Sequence, residues 1–246
     1  MENRFKSVID VIDSHVSIRK YKDVDIPEDT LKTIIYSGVR APSSANLQPY
    51  SIIAIKDREL KRKLSVLCGD QSHIRECSVF LIFVADYNRI VKAMEQLNIE
   101  PFQPNIYSLY IASVDAALAA QNIVVAAESM GYGICYIGAV QNRPCEIAKL
   151  LGLPRYTYPL FGLTIGVPDE APKKRIRLDI DTILHLNGYE GDKADQVIRR
   201  YREEGYLDSL ERRYSRYAGR NGRIEMRFKG FMECLESQGF KTSPSP

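Results

Sequence analysis

The sequence predicts a single domain that mixes helices with a few short strands. Apolar residues recur at helical spacing in several separate stretches. The continuous apolar run Val79–Ala85 has the make-up of a buried strand, and the alanine-rich stretch from Tyr107 to Met130 has the length of one long helix.

Taken in order, Phe5, Val8, Ile9 and Ile12 give an amphipathic helix over Asn3 to Ser14. Pro27 opens a second helix, because proline is tolerated at the first helical position, and Leu31, Ile34 and Ile35 form its apolar face. Ile52 to Ile55 is a β-branched strand candidate, and Val79–Ala85 follows as a fully buried strand. A loop with proline and asparagine covers Ile99 to Asn105. The long helix comes next and ends at Gly131, a capping glycine. Its small residues Ala112, Ala116, Ala117, Ala119, Ala120, Ala126 and Ala127 would let another helix approach closely, and they suggest a helix-on-helix homodimer. Gly133 to Val140 reads as a strand, a short helix ends near Leu151, and Tyr158 to Val167 reads as another strand. From Pro168 the chain changes character, with the basic run Lys173-Lys174-Arg175-Ile176-Arg177 and then polar helical segments. No linker is long enough to separate two domains, so residues 1–246 read as one domain with residues 168–246 as its extension.

Composition narrows the function. With 246 residues, 45% hydrophobic and 26% charged, the chain is ordinary for a globular protein with a sizeable core. Val79–Ala85 is too short to cross a bilayer, and no apolar run of signal-peptide type follows the N-terminus, so a cytoplasmic, non-membrane protein is expected. The cysteines Cys68, Cys77, Cys135, Cys145 and Cys234 are scattered, which suits reduced thiols. A net charge of +3 is too small to imply nucleic acid by itself. Gly131-x-Gly133 has its next glycine only at Gly138, so the dinucleotide fingerprint is not met. The histidines lack metal-ligand spacing, and no G-x-S-x-G elbow is present.

Three segments remain that carry ligand-binding chemistry. In His15-Val16-Ser17-Ile18-Arg19-Lys20-Tyr21 a hydroxyl and a guanidinium two residues apart point to the same side of an extended chain. An arginine there can make charge-assisted bonds to a phosphate, although a solvated basic loop would look the same. In Arg40 to Tyr50, the residues Ser43, Ser44, Asn46 and Gln48 suit the edge of a heteroaromatic ring, and equally suit plain turn chemistry. In Tyr136-Ile137-Gly138-Ala139, glycine allows a ligand close to the backbone or, alternatively, marks a bend in a strand.

The order S-I-R-K-Y, R-A-P-S-S-x-N-L-Q-P-Y, A-A-E-S-M-G-Y-G-I-C-Y-I-G, L-G-L-P and P-L-F-G-L-T-I-G-V-P resembles the nitroreductase superfamily. The size and the basic C-terminal extension resemble its NADPH-dependent branch of oxygen-insensitive nitroreductases and flavin reductases. The resemblance implies an α+β fold, a mostly antiparallel sheet flanked by helices, in an intertwined homodimer with a C-terminal extension. It implies one FMN per subunit in a pocket made by both chains, reduced by NADPH or NADH. His15, Val16, Ser17 and Arg19 match the N-terminal flavin motif, with Ser17 and Arg19 on phosphate and ribityl groups. Ser43, Ser44 and Asn46 match a loop lent in large part by the partner, and Gln71 matches a flavin-contacting glutamine. Tyr136, Ile137, Gly138 and Ala139 match the segment over the isoalloxazine ring. Arg175 and Arg177 match a basic pair that grips the phosphate.

The chain departs from that pattern at Val16, where arginine is common, at Ala139, where glycine is frequent, and at Arg175, where lysine is usual. The segment from Ile90 to Tyr107 has no clear match. The implied mechanism is ping-pong hydride transfer at the flavin, with no side chain as nucleophile or base, to a small-molecule acceptor: a quinone, a nitroaromatic or free flavin. Arg216, Arg220 and Arg223, in a glycine-punctuated basic stretch, are candidates for the 2′-phosphate of NADPH. Between Arg212 and Lys229 there are seven basic residues against one acidic residue. That charge leaves nucleic-acid binding as a remote alternative. A flavin-fragmenting or dehalogenating enzyme of the same fold is the nearer one.

Overall fold

A computed structural model describes residues 7–243. The chain forms two compact units, one up to Lys173 together with the residues from Gly230 onward, and one over Lys174–Lys229. The break lies close to Pro168, where the composition changes.

The first unit is built on one four-stranded sheet of order β1-β2-β4-β3, with β1 Tyr50–Ile55, β2 Val79–Asp86, β3 Gly133–Ile137 and β4 Thr157–Gly166. Every pairing is antiparallel. Central strand β2 explains its own sequence. Val79, Leu81 and Phe83 join one core cluster while Phe80, Ile82 and Val84 join another. Side chains alternate across a strand, and helices cover both faces here, so both sets must be apolar.

One face packs on α2 (Glu28–Val39) and α6 (Ile106–Ser129), through Leu31, Ile34, Ile123 and Val124. The other packs on α3 (Arg58–Leu67), α4 (Ser72–Glu76) and α7 (Pro144–Leu150), through Leu64, Ile74 and Ile147. Each fully buried side chain of this kind contributes roughly 1.5–3 kcal/mol. Helix α6 starts on a capping box. The Asn105 side chain accepts from Ser108 N at 3.0 Å, and Asn105 N donates to Ser108 Oγ at 2.8 Å. It ends before Gly131, whose φ of 85° only glycine adopts freely. By length and composition α6 would pass for a membrane span, but one side of it, with Ala116, Ala119, Ala120, Ile123, Val124 and Ala127, forms the core under the sheet.

Several expectations are corrected. Most of the small residues of α6 face the chain's own core, while Ala117 is exposed. Ala112, Ala116, Ala119, Ala120 and Ala127 are buried in the chain's own core. The close approach they permit is to α2, where a Cβ on Gly38 would lie 2.7 Å from Ile123 Cδ1 and 2.9 Å from the Ala119 carbonyl. The exposed face of α6 carries Tyr107, Tyr110, Val114 and Leu118 instead. Helix α1 spans Val8–Ser14, with Ser7 as its cap and Phe5 outside the described residues. Its buried residue is Val11, while Val8, Ile9 and Ile12 are exposed. Pro27 caps α2 and does not enter it. The strand expected to reach Val140 stops at Ile137, because Gly138–Asn142 turns into a 3₁₀ helix.

Helices α3, α4 and α5 (Asn88–Gln96) were not anticipated. In α3, Leu60, Leu64 and Leu67 lie among Arg58, Glu59, Lys61, Arg62 and Lys63, so charge masks a narrow apolar stripe.

The second unit contains α8 (Ile180–Ile183), α9 (Gln196–Glu203), α10 (Leu207–Tyr217) and the first turns of α11 (Arg223–Ser237). Within it Arg200 pairs with Asp179 at 3.3 Å and with Glu204 at 2.7 Å.

Candidate functional site

Two of the three segments singled out in the sequence meet at the β3 edge of the sheet. Ser17 forms an isolated parallel bridge with Ile134, and Ile18 N donates to the Ile134 carbonyl at 2.8 Å. The approach is close because Gly133 has no side chain: a Cβ there would meet Ile18 Cγ1 at 2.6 Å. Residues 15–19 therefore run beside the strand that carries Tyr136. The Tyr21 hydroxyl ties the end of the segment down, donating to the Ile18 carbonyl at 2.8 Å and lying 2.8 Å from Thr164 Oγ1. Burial drives the Tyr21 phenol far above its ordinary range, so it stays protonated.

Side chains complete the anchoring. His15 Nδ1 lies 2.6 Å from Glu128 Oε1, on the last turn of α6. The amides of Arg19 and Lys20 both donate to Glu170 Oε1, the second at 3.2 Å. Arg19 is exposed, and its guanidinium donates to the Ser17 carbonyl at 3.4 Å, a long bond that an anion would outcompete. Val16 packs on the core beneath. An apolar residue where arginine is common thus has a structural use.

The turn holding Gln71 comes to the same place. Asp70 has φ 55° and Gly69 φ 83°. A Cβ on Gly69 would lie 3.3 Å from Asn142 Nδ2, at the end of the 3₁₀ turn that begins with Gly138. Gln71 Nε2 donates to the Cys68 carbonyl at 2.8 Å, and the Gln71 carbonyl accepts from Ser65 Oγ at 2.8 Å. Two residues on, His73 is buried, and its Nε2 has no hydrogen-bond partner. Burial, with the charge of Arg19 as the next cause, holds its imidazole below the ordinary range.

Gly138 forms an open floor beside these residues, since a Cβ there would meet nothing within 4 Å. Ala139 and Val140 turn inward to the core. Tyr136 is half-exposed, its ring edge-on to Phe161 at 5.8 Å and its hydroxyl 3.4 Å from Gln121 Oε1. Ile137 is buried.

The remaining segment lies elsewhere. Ser44 N donates to both carboxylate oxygens of Asp115, and Ala45, Asn46 and Gln48 take positive φ angles of 49°, 57° and 51°. Ser43 precedes this turn in extended backbone. Asp115 and Glu128 are thirteen residues apart on one helix, which at 1.5 Å per residue is roughly 20 Å. A single chain therefore does not bring Ser43, Ser44 and Asn46 to His15 and Ser17.

A model of the nitroreductase family matches residues 12–167, which hold all of these segments. The chain belongs to the nitroreductase family. It is similar to a Cr(VI) reductase from Pseudomonas sp. (strain G-1), 36% identical over 208 residues, with 85% of this chain and 84% of the relative covered. An NADPH-dependent oxidoreductase from Staphylococcus aureus (strain MRSA252) is 33% identical over 249 residues, covering 94% of this chain and 97% of its own. Among solved structures, the NADPH:FMN oxidoreductase from Vibrio harveyi complexed with NAD+ aligns with a TM-score of 0.80 at 31% identity, covering 95% of this chain and 98% of that one. The chain is accordingly an oxidoreductase with the nitroreductase fold.

The basic residues of the second unit lie outside the matched stretch. Arg175 and Arg177 sit in a segment without helix or strand, where Arg177 Nη1 donates to the Arg175 carbonyl at 3.3 Å. Arg216 lies in the last turn of α10, Arg220 in the following turn, and Arg223 opens α11. The Arg223 guanidinium stacks 5.0 Å over the Tyr217 ring and donates to its hydroxyl at 2.9 Å.

Residues that the sequence did not single out hold these segments in place. Glu128 anchors His15, Glu170 anchors the Arg19 and Lys20 amides, Asp115 anchors Ser44, and His73 lies near Arg19. Glu128 left a signal, since an acid in the last turn of a helix opposes the dipole and is better placed with a hydrogen-bond donor beside it.

Proposed function

We propose that the chain is an FMN-dependent oxidoreductase that takes electrons from NAD(P)H, with NADPH favoured, and passes them to a quinone, a nitroaromatic or free flavin in a ping-pong cycle. The observation that carries this reading is the convergence of residues 15–19, the Gln71 turn and Gly138 at one edge of the sheet. These residues fit such a cofactor. An exposed arginine with a weak internal bond and a buried, unpartnered His73 Nε2 suit an anionic group, and the open floor at Gly138 suits a flat one.

In this reading Ser17 and Arg19 hold the phosphate and ribityl groups, with His15 and Val16 beside them. Gln71 contacts the ring system, and Tyr136, Ile137, Gly138 and Ala139 lie against it. For Arg175 and Arg177 on the phosphate, and for Arg216, Arg220 and Arg223 on the NADPH 2′-phosphate, the support is sequence resemblance alone. Bound FMN supplies hydride exchange, from nicotinamide in one half-reaction and to the acceptor in the other. The chain's own part is to bind, orient and supply hydrogen-bond donors at Gly138.

A homodimer belongs to the same reading. Ser43, Ser44 and Asn46 stand roughly 20 Å along α6 from the His15 anchor, so a second copy is the natural source of that loop. The exposed apolar residues Val8, Ile9, Tyr110 and Leu118 support such an interface. The five cysteines form no disulfide among the described residues, which supports a reducing compartment, the cytoplasm.

The test is an FMN titration followed by quenching of flavin fluorescence. Wild type is expected to bind stoichiometrically. Arg19→Ala is expected to bind roughly tenfold more weakly, as loss of a charge-assisted hydrogen bond of about 1.5 kcal/mol requires. Equal affinity in the two proteins would refute the assignment of Arg19.

A further inference from the structure

Glu128 stands in a place that a carboxylate does not favour. It lies in the last turn of α6, where the helix carbonyls concentrate negative charge, and no basic residue accompanies it in that turn. Its compensation comes from far along the chain. His15 Nδ1 sits 2.6 Å from Glu128 Oε1, with side-chain exposures of 28% and 11%. The contact is one of several ties holding residues 15–20 in place, with Ile18 N on the Ile134 carbonyl, the Tyr21 hydroxyl on the Ile18 carbonyl, the Arg19 and Lys20 amides on Glu170 and Lys20 Nζ on Asp169.

The contact also decides the chemistry of the imidazole. A ring nitrogen facing a carboxylate oxygen carries a proton, so Nδ1 is the donor to Glu128 and Nε2 is the nitrogen left for a ligand. Glu128 acts on a second residue of the same edge. Its charge adds to burial in raising the Tyr136 hydroxyl to about 12.

We infer that Glu128 is a positioning residue for cofactor binding: it fixes the orientation and Nδ1–H state of His15 and thereby presents Nε2 to bound FMN. This rests on the FMN reading above. Glu128 itself need not touch the ligand. Because it sits on the long core helix, it transmits the placement of α6 to the start of the loop, whose other side-chain ties, to Glu170, Asp169 and Tyr21, lie at residues 18–20.

The experiment combines nitrogen-15 NMR of the His15 ring with FMN titrations on the full chain. In wild type, Nδ1 of His15 is expected to carry a proton. Glu128→Ala is expected to lose that fixed state and to bind FMN about tenfold more weakly, the effect of one charge-assisted hydrogen bond. Glu128→Gln keeps an acceptor oxygen and is expected to recover most of the affinity. In a His15→Ala background, Glu128→Ala is expected to cost nothing further, because the residue acts through His15.

Circular dichroism of each variant separates these effects from misfolding, and Glu128→Gln keeps the test open if Glu128→Ala does not fold. An unprotonated Nδ1 in wild type would overturn the inference. So would a full additional loss from Glu128→Ala in the His15→Ala background. Wild type that binds no FMN would instead overturn the cofactor reading, and this inference with it. The ring state of His15 is measurable without ligand and separates the two failures.

Discussion

The backbone amide of Ser44 donates to both carboxylate oxygens of Asp115, each at 3.1 Å, and so fastens the 43–48 turn to the middle of α6. Asp115 is buried, and burial raises its pKa, while the Ser44 amide works in the opposite direction. The raised value sets the sign of a pH effect. Between the unfolded and folded pKa values the folded chain keeps a proton that the unfolded chain has lost. Stability therefore falls as pH rises through that window and levels off above it. Asp115→Asn keeps an acceptor for Ser44 and has no charge to bury. Thermal melts from acid to neutral pH are expected to show the variant more stable than wild type by a few degrees near neutrality, with the difference vanishing below the carboxylate range. A variant less stable than wild type at neutral pH would show that the charge stabilises the turn.

The exposed face of α6 supports a second expectation. Leu118 lies with Tyr110 and Val114 on the side of the helix turned away from the chain's own core. Leu118→Glu adds a charge to that apolar surface without disturbing Ala116, Ala119 or Ala120 beneath. Sedimentation is expected to show a dimer for wild type and a monomer for the variant. FMN affinity is expected to fall by at least tenfold in the monomer if Ser43, Ser44 and Asn46 come from the partner. A flavin-loaded monomer would show that one copy completes the pocket.

Electron-donor choice is a third. NADPH differs from NADH by a 2′-phosphate with about two negative charges. Two exposed contacts at roughly 1 kcal/mol each would give about a thirtyfold preference. The ratio of kcat/KM for NADPH over NADH is expected to exceed one and to fall toward one in Arg220→Ala/Arg223→Ala, with NADH activity little changed. Salt is expected to erode the same preference. Arg223 already stacks on Tyr217, so Tyr217→Ala is expected to weaken the preference partially by releasing the guanidinium. A double variant that keeps its preference would place the 2′-phosphate elsewhere.

Which of these elements were legible in the sequence follows from how locally each is determined. Strand β2 and helix α6 were readable because burial on both faces of the sheet leaves continuous apolar or alanine-rich runs. Residues 15–19 and 136–139, which the fold brings to one edge of the sheet, could be singled out because Ser17, Arg19 and Gly138 combine residue types that few local structures need together. Helix α3 was hidden because its apolar stripe is narrow among charges. The neighbour of the α6 alanines within the chain was not legible because small residues permit close packing without naming what packs, which here is Gly38 of α2. Glu128, Glu170 and Asp115 were out of reach because their partners lie 113, 151 and 71 positions away. Only folding makes those contacts neighbours.

In the proposed reaction this chain accepts electrons from a nicotinamide and hands them on in a separate step. Anaerobic rapid mixing of the FMN-loaded protein with NADPH tests it most directly. The visible flavin absorbance is expected to bleach with NADPH alone and to return when a quinone is added after the nicotinamide has been removed. Absorbance that stays unchanged with both NADPH and NADH, or bleaching that requires the quinone to be present, would contradict the account.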